Sequence, residues 1–216
     1  LTGFSVKLLM KEAQALKEQD NDEDEEIILL AEKGAKDGTL TSSESDMVTN
    51  ALKLDDVLVT EIMTPRTVVY ALEKNLSIGQ LFSQQSNIEF ARIPVYEDDI
   101  DNIVGVVRRR DILRHKADDQ DHIALTEIMS EARFVPETIT VANALQTALK
   151  THQQILIVVD EFGSMAGVIS MEDIMECILG REIFETDDKA IDMRELARHE
   201  GKKTADALAK EEKSAS

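Results

Sequence analysis

The hydrophobic pattern of this chain changes period within one short stretch of its C-terminal third. Apolar residues crowd Ile155–Val159 and return at Val168 and Ile169, which is typical of buried strands. From Ile174 onward they recur at positions 174, 178 and 179, which is helical spacing. Ser170 lies at the changeover. The sequence therefore predicts a strand that turns into a helix at this residue.

The pair formed by Ser170 and Asp173 at this turn has two interpretations. A serine just before a helix accepts a hydrogen bond from the first turn, and an acidic residue three positions later returns one, which makes a capping box. Alternatively, the same hydroxyl and carboxylate project from the turn towards a ligand and hold the diol of a ribose. The local sequence leaves both interpretations open.

An internal repeat gives this turn its context. The tetrapeptide TEIM at residues 60–63 recurs at 126–129, and GVV at 105–107 followed by DI at 111–112 recurs as GVI at 167–169 followed by DI at 173–174. The offsets are 66 and 62 residues, so two copies of one unit differ by a short deletion. Each copy predicts a short helix ending at methionine, an extended segment, a helix, two apolar strands and a final helix. In the first copy the strands are expected at 93–96 and 102–107, across an aspartate-rich turn at 98–101.

These repeated residues resemble a known family, the paired cystathionine-beta-synthase (CBS) domains of the CorC/CNNM magnesium and cobalt transport proteins. The resemblance rests on EIMTPR at 61–66, RIPVYED at 92–98, and VVDEFG at 158–163 running into AGVISMEDI at 166–174. It implies an α/β fold of tandem CBS domains, a Bateman module, with an N-terminal helical extension and a C-terminal helix or tail. The expected ranges are 1–55 for the acidic extension, 56–120 and 121–186 for the CBS domains, and 187–216 for the charged C-terminal segment.

Composition excludes several classes of partner. The formal net charge is -19 and the isoelectric point is about 4.5, whereas nucleic acids and anionic lipids both require a basic face. A single cysteine excludes an intramolecular disulfide framework and fits a reducing compartment. No apolar run reaches the length of a membrane span. Because the chain opens on Leu1 rather than methionine, we expect it to be a fragment of a longer protein.

Catalytic and metal-binding motifs give little support for an enzyme. The four histidines are scattered without ligand spacing, and the DEFG run at 160–163 lacks the glycine-rich and catalytic loops of a kinase. The acidic run at 20–26 fails as an EF-hand, because that loop needs glycine where Glu25 stands and a bidentate acid where Ala31 stands. Catalysis therefore has little support in the sequence, and the resemblance implies a binding and sensing function instead.

The resemblance also implies a ligand site, because CorC/CNNM relatives hold ATP with Mg2+ in one of the two clefts between the CBS domains. Carried onto this sequence, the site comprises Thr64, Phe90, Arg92, Ile93, Pro94, Ser170 and Asp173. Asp173 and Ser170 would bind the ribose hydroxyls. Ile93 and Pro94 would form an apolar wall for adenine, and Arg92 would face the phosphates. No protein-held metal is expected, since Mg2+ would be bound through the ATP phosphates.

The two copies differ at the turn itself. Where the second copy has Ser170, the first has Arg108, within the run VRRRD at 107–111. That position lacks the ribose hydroxyl partner, so one nucleotide per chain is expected. Residues 108–110 either form a surface cluster that offsets the acidity of the chain or meet phosphates across a dimer.

The resemblance finally implies a cellular role. The chain is expected to be the cytosolic Mg-ATP-binding regulator of a membrane transporter for divalent cations (Mg2+ and Co2+), at the cytoplasmic face of the cell membrane. Its expected partners are adenine nucleotide, the membrane domain of the same full-length chain, and a second copy bound through the CBS domains; nucleic acid is not among them. The alternative is an adenine-nucleotide-sensing CBS module that regulates a different effector.

Overall fold

The computed structural model describes residues 23–85 and 87–183. The expectations for residues 1–22 and for the C-terminal segment 187–216 lie outside this part of the chain. The described residues divide into two compact parts, one made of 23–55 with 175–182 and the other of 56–174 with residue 183. Within residues 23–85 and 87–183, no helix is both long and apolar enough to cross a bilayer.

The first part contains two consecutive helices, which confirms the helical extension where it is described. Helix α1 covers residues 23–36 and ends at a turn in which Gly38 has a φ of 76°, a conformation that glycine adopts without strain. Helix α2 (Ser42–Leu52) is followed by a 3-10 turn (Lys53–Asp55). It begins with a capping box between Thr41 and Glu44, and the hydrogen bonds that Thr41 donates hold the pKa of Glu44 below its usual value.

The second part contains the two repeats in the order that the sequence predicts. The first repeat comprises α3 (Val59–Ile62), β1 (Thr64–Pro65), a 3-10 turn (Arg66–Val68), β2 (Leu72–Glu73), α4 (Ile78–Gln84), β3 (Arg92–Glu97), β4 (Asp99–Arg108) and α5 (Arg109–Ala117). The second comprises α6 (Leu125–Ile128), β5 (Phe134–Pro136), α7 (Val141–Thr151), β6 (Ile155–Val159), β7 (Met165–Ser170) and α8 (Met171–Leu179). Residues 175–179 of α8 belong to the first compact part. These elements confirm the predicted α/β fold and its two repeats.

The strands form two sheets. An N-terminal segment of each repeat pairs with the sheet of the other repeat. One sheet has the order β2-β3-β4 and the other β1-β7-β6-β5. Strand β1 belongs to the first repeat by sequence but pairs with β7 of the second, with Thr64 opposite Val168. In the reverse direction, Ser130 of the second repeat exchanges two backbone hydrogen bonds of 2.9 Å with Val106 of β4. The two repeats are thus interlocked through their N-terminal segments.

The glycines of the repeated motif are required by this exchange. A Cβ atom at Gly167 would lie 2.5 Å from the carbonyl oxygen of Thr64, and one at Gly105 would lie 2.9 Å from the carbonyl oxygen of Ser130. Both distances are shorter than real Cβ contacts. The recurrence of glycine before the two apolar strand residues therefore reflects the close approach of the exchanged backbone.

Two buried clusters hold the second part together. The core of the first repeat includes Ile93 and Val95 of β3 together with Leu125 of α6, all three with 0% exposure. A second cluster joins the repeats, because Val106 of β4 packs with Ile157 of β6 and their neighbours. Burial of Leu125 in the core of the first repeat is a further sign that the repeats are interlocked.

The turn between β3 and β4 is shorter than the predicted 98–101. Strand β4 already begins at Asp99, which pairs with Glu97, so only Asp98 connects the strands. Its φ of 64° lies in the left-handed region, which aspartate tolerates better than most residues. The prediction was wrong for residues 99–101, because they lie within β4. Asp101 also accepts a hydrogen bond of 2.9 Å from Arg66.

Candidate functional site

The turn between β7 and α8 forms the capping box that the sequence allows. The hydroxyl of Ser170 and its backbone N–H each donate to Oδ2 of Asp173 at 2.7 Å, and the Asp173 N–H donates to the Ser170 Oγ at 3.1 Å. Both side chains are half-buried. The first of the two interpretations is therefore observed, and the ribose interpretation stays a prediction about a bound ligand.

The segment exchange brings Thr64 next to this turn. Thr64 lies opposite Val168 in the ladder between β1 and β7. Ser170 follows two residues later, roughly 7 Å along the strand. Thr64 is half-buried. Its backbone is held by the pairing of β1 with β7 of the second repeat.

Arg92 is linked to the same turn through Gln154. The guanidinium of Arg92 donates to the side-chain oxygen of Gln154, whose backbone oxygen accepts from the Met171 N–H at 3.1 Å. Met171 directly follows Ser170. Sequence reasoning did not select Gln154, because it stands outside the repeated motifs in the loop before β6.

Phe90 lies at the surface as half of an aromatic pair. Its ring stacks on that of Tyr70 with centroids 5.6 Å apart and an interplanar angle of 26°. Phe90 is 36% exposed, and the hydroxyl of Tyr70 contacts the side-chain amide of Gln85. Tyr70 was also missed by sequence reasoning, although aromatic residues are few in this chain and each is therefore a candidate for stacking.

Ile93 and Pro94 do not form one wall. Neighbouring residues of a strand point to opposite faces, and the side chain of Ile93 has 0% exposure within the core of the first repeat. Pro94 pairs with Val106, which belongs to the cluster between the repeats. Pro94 is buried as well. Pro94 lies on the strand face shared with Arg92. Ile93 lies on the opposite face and packs in the core of the first repeat.

The first repeat has the same turn with different chemistry. In the sheet pairings Arg108 lies opposite Arg92 as Ser170 lies opposite Ile155, so Arg108 occupies the serine position and Asp111 that of Asp173. The Nε of Arg108 donates to Oδ2 of Asp111 at 2.6 Å, and no side-chain cap hydrogen bond closes the start of α5. The carboxylate that corresponds to Asp173 is therefore paired with a cation.

A cavity of about 480 Å³ lies at this first-repeat turn. Its lining residues are Ala91, Arg92, Val106, Arg108, Arg109, Arg110, Ser130, His152, Gln153, Gln154 and Ile155. By sheet register, Ser130, Ile155 and Arg108 correspond to Thr64, Arg92 and Ser170. Gln153 stands two residues before Ile155, as Phe90 stands two residues before Arg92.

The predicted residues thus do not all surround one cavity. Thr64 lies beside the turn of Ser170 and Asp173, Arg92 lines the cavity with the other arginines, and Ile93 is in the core. The cavity belongs to the related cleft of the first repeat, which sequence reasoning expected to lack a nucleotide.

Comparison with known proteins identifies the family. The CBS domain family model matches residues 59–118 and 125–180. A solved CBS domain structure of a bacterial CNNM/CorC family Mg2+ transporter is 31% identical and covers 74% of this chain and 98% of its own, with a TM-score of 0.69. This chain belongs to the CorC/CNNM family of CBS-domain proteins. A second CorC/CNNM structure, solved in complex with ATP, is 33% identical and covers 64% of this chain and 98% of its own, with a TM-score of 0.60.

Sequence relatives of this CorC/CNNM chain are longer. The magnesium and cobalt efflux protein CorC of Escherichia coli K12 is 30% identical over 200 residues, which are 91% of this chain and 66% of that protein. Across three bacterial relatives, CorC included, the chain spans between 50% and 66% of their length.

Proposed function

We propose that this CorC/CNNM chain is the cytosolic regulatory CBS pair of a membrane transporter for divalent cations, and that it binds ATP together with Mg2+. The observation that carries the proposal is the arrangement of Thr64 beside the turn of Ser170 and Asp173, which joins residues of both repeats. A relative of the same family has been solved with ATP. The transport domain would belong to the same full-length protein, with this part at the cytoplasmic face of the cell membrane.

The donor set at the turn fits a ribose. The Asp173 carboxylate would accept from the 2′- and 3′-hydroxyls of the ribose. The Ser170 hydroxyl donates to that carboxylate at 2.7 Å and therefore lies next to the proposed ribose position. A carboxylate can accept several hydrogen bonds at once. The N-terminus of α8 favours the charged form of an acid in its first turn.

The adenine and phosphate groups have separate candidates. The exposed ring of Phe90, already stacked on Tyr70, offers an aromatic surface for a purine. Arg92, half-buried and bound to a neutral amide, supplies a cation for phosphate. Thr64 would contribute a hydroxyl next to the ribose. Pro94 would contribute apolar surface on the strand face that it shares with Arg92.

Mg2+ would be held through the phosphates and would neutralise part of their charge when bound. The cation prefers a few phosphate oxygens together with water. Among residues 23–85 and 87–183 there is no group of three or more histidine, cysteine or acidic residues that could hold a metal. The proposal therefore assigns no side chain as a magnesium ligand.

A second candidate is a CBS pair that senses another adenine nucleotide and regulates a different effector. The arrangement that favours it is again the turn of Ser170 and Asp173, because this pair would bind a ribose that ATP, ADP and AMP share. Discrimination between the three would then depend on Arg92. Neither candidate involves turnover of the nucleotide.

Calorimetric titration with ATP, ADP and AMP in excess Mg2+ tests the proposal. We expect one ATP per chain, weaker binding of ADP and AMP, and no phosphate release when the same sample is incubated with Mg-ATP. Tighter binding of AMP than of ATP would favour the second candidate. Absence of binding by all three nucleotides, or steady phosphate release, would contradict a nucleotide-sensing role.

A further inference from the structure

The cavity at the first-repeat turn is basic in a strongly acidic chain. Four arginines and one histidine line it, and none of the described lining residues is acidic, whereas the chain as a whole has a formal charge of -19. Three of the arginines, residues 108–110, are consecutive at the start of α5. The fourth, Arg92, comes from the facing strand β3.

The positive charge of these arginines is only partly compensated by their contacts. Arg92 donates to the neutral side chain of Gln154, and Arg109 donates to the backbone oxygen of Glu89 at 2.7 Å. Arg108 and Arg110 share one carboxylate, that of Asp111, at 2.6 and 3.8 Å. Among the described contacts, the four arginines are thus matched by one carboxylate, that of Asp111. This leaves an excess of positive charge at the cavity wall.

The start of α5 adds to this potential. The helix covers nine residues and begins at Arg109, with no side-chain cap hydrogen bond at Arg108. In the second repeat the corresponding cap is closed by Ser170. The N–H of Arg109 donates to the carbonyl oxygen of Ala91 at 3.0 Å, but no side chain closes this end of α5. The helix dipole is positive there and favours an anion.

The same substitution removes the features that would select a ribose. The serine position is taken by Arg108, and the acidic position, Asp111, is engaged by that arginine at 2.6 Å. The aromatic position of Phe90 corresponds to Gln153, which offers no stacking surface. Charge favours phosphate in this cleft, while the hydroxyl and the aromatic ring available at the turn of Ser170 and Asp173 are replaced here.

We propose that this arginine-lined cleft is a second ligand site of the molecule, selective for oligophosphate groups and indifferent to ribose. Arginine guanidinium groups suit phosphate because they bind it through two parallel hydrogen bonds. A volume of about 480 Å³ is within the usual range for small-ligand sites. The oligophosphate is either a separate inorganic anion or the tail of a nucleotide whose ribose is bound at the turn of Ser170 and Asp173.

The test uses inorganic tripolyphosphate as the probe, titrated calorimetrically in EDTA and moderate salt so that no magnesium complex forms. Arg108→Ser is the main variant, because it removes one lining cation. It places before α5 the residue type that Ser170 provides before α8. Arg114→Ser is the matched control. Arg114 is an exposed residue of the same helix α5 outside the cavity, and its loss changes the net charge equally.

We expect wild-type protein and Arg114→Ser to bind tripolyphosphate with the same affinity within about twofold, and Arg108→Ser to bind it at least about tenfold more weakly. Thermal unfolding of Arg108→Ser checks that the variant is folded, and Arg110→Ser repeats the test if it is not. Absence of wild-type binding, or equal losses in the lining variant and in Arg114→Ser, would overturn the proposal.

Mg-ATP affinity of the same variants distinguishes the two sources of oligophosphate. A loss in Arg108→Ser of about tenfold identifies the nucleotide tail as the occupant, while unchanged Mg-ATP affinity identifies a separate anion. Either result supports the site, provided that tripolyphosphate binding depends on Arg108. Because tripolyphosphate binding is measured without nucleotide, failure of ATP binding would contradict the proposed function and leave this site standing.

Discussion

The Asp173 carboxylate closes the cap of α8 and, in the proposed complex, also accepts the ribose hydroxyls. For Asp173→Ala we expect ATP affinity to fall ten- to a hundredfold, the equivalent of about 1.5 to 3 kcal/mol for a hydrogen bond to a charged group. Loss of the cap should also lower the free energy of unfolding by about 1 kcal/mol. Calorimetry and chemical denaturation measure the two effects separately. A loss of stability with intact ATP affinity would leave only the capping role.

Asp111→Ala is the matched control for that experiment. Asp111 occupies the corresponding position of the first repeat but pairs with Arg108. Its replacement should leave ATP affinity unchanged within about twofold and cost at most about 1 kcal/mol of stability, since partly exposed ion pairs are weak. Equal losses of ATP affinity in both variants would mean that net charge, and not the position of Asp173, governs binding.

Gly167 should not tolerate a side chain. Its added Cβ would lie 2.5 Å from the backbone oxygen of Thr64, so Gly167→Ala forces β1 away from β7. We expect the free energy of unfolding to fall by about 1 to 3 kcal/mol in urea denaturation. Gly34→Ala is the contrasting variant, because its Cβ would meet the flexible side chain of Leu40 at 3.1 Å and alanine favours a helix. A smaller loss at Gly167 than at Gly34 would disprove the close approach.

Several of these residues are predictable from sequence and others are not. The change of period at Ser170 and the recurrence of Gly105 as Gly167 are visible, because strand, helix and repeat signals are local. Ile93 and Pro94 lie on opposite faces of β3 because side chains alternate along a strand. The prediction of one apolar wall formed by both residues did not take this alternation into account. Gln154 gave no signal, since its contact with Arg92 depends on how the two repeats face each other.

At the scale of elements, the exchange of N-terminal segments is the feature that the sequence could not predict. The repeat predicts the order of helices and strands correctly, but a strand of two residues such as Thr64–Pro65 has no periodicity that would assign it to a sheet. Its partner is chosen by tertiary contacts alone. The same holds for Ser130, whose bridge to Val106 completes the other sheet.

This exchange predicts that one repeat does not fold alone. Residues 56–120 lack Leu125, which is fully buried in the core of the first repeat, and lack the backbone donor of Ser130 to β4. Their own strand β1 would lose its partner. We expect a fragment of residues 56–120 to show no cooperative thermal transition by circular dichroism, whereas the full chain does. A cooperative transition with native-like spectrum in the fragment would contradict the interlocked arrangement.

At the scale of the whole molecule, we predict a homodimer formed through helices of both repeats. Leu113 of α5 is 46% exposed, and Met175, at the corresponding position of α8, is 39% exposed. Each of these exposed apolar residues favours a contact with a second copy, and twofold contacts are the commonest solution for oligomers. Sedimentation with saturating Mg-ATP should give about twice the chain mass of 24.1 kDa.

Charged substitutions test which surface forms that dimer. Leu113→Glu should shift the protein towards monomer by at least about tenfold in dissociation constant, since a charge would be buried in the contact. Leu149→Glu is the control, because Leu149 is a 58% exposed residue of α7, a helix outside the predicted contact. Monomer sedimentation of the wild-type protein at high concentration would rule the dimer out, and dissociation by Leu149→Glu alone would move the contact to α7.

We predict that the net charge of the molecule makes Mg2+ decisive for nucleotide binding. A chain with a formal charge of -19 repels the ATP tetra-anion, and salt screens that repulsion only beyond a Debye length of about 8 Å. Arg92 offsets part of it, and Mg2+ on the phosphates would offset more. Occupancy by ATP would then follow the free concentration of Mg2+, which would give the proposed regulator its input.

Calorimetric titration of ATP in Mg2+ and in EDTA, at the same moderate ionic strength, measures this dependence directly. We predict one Mg-ATP per chain, and an affinity in EDTA that is at least about tenfold lower. Equal ATP affinity with and without Mg2+ would contradict magnesium sensing, because the protein would then respond to nucleotide alone.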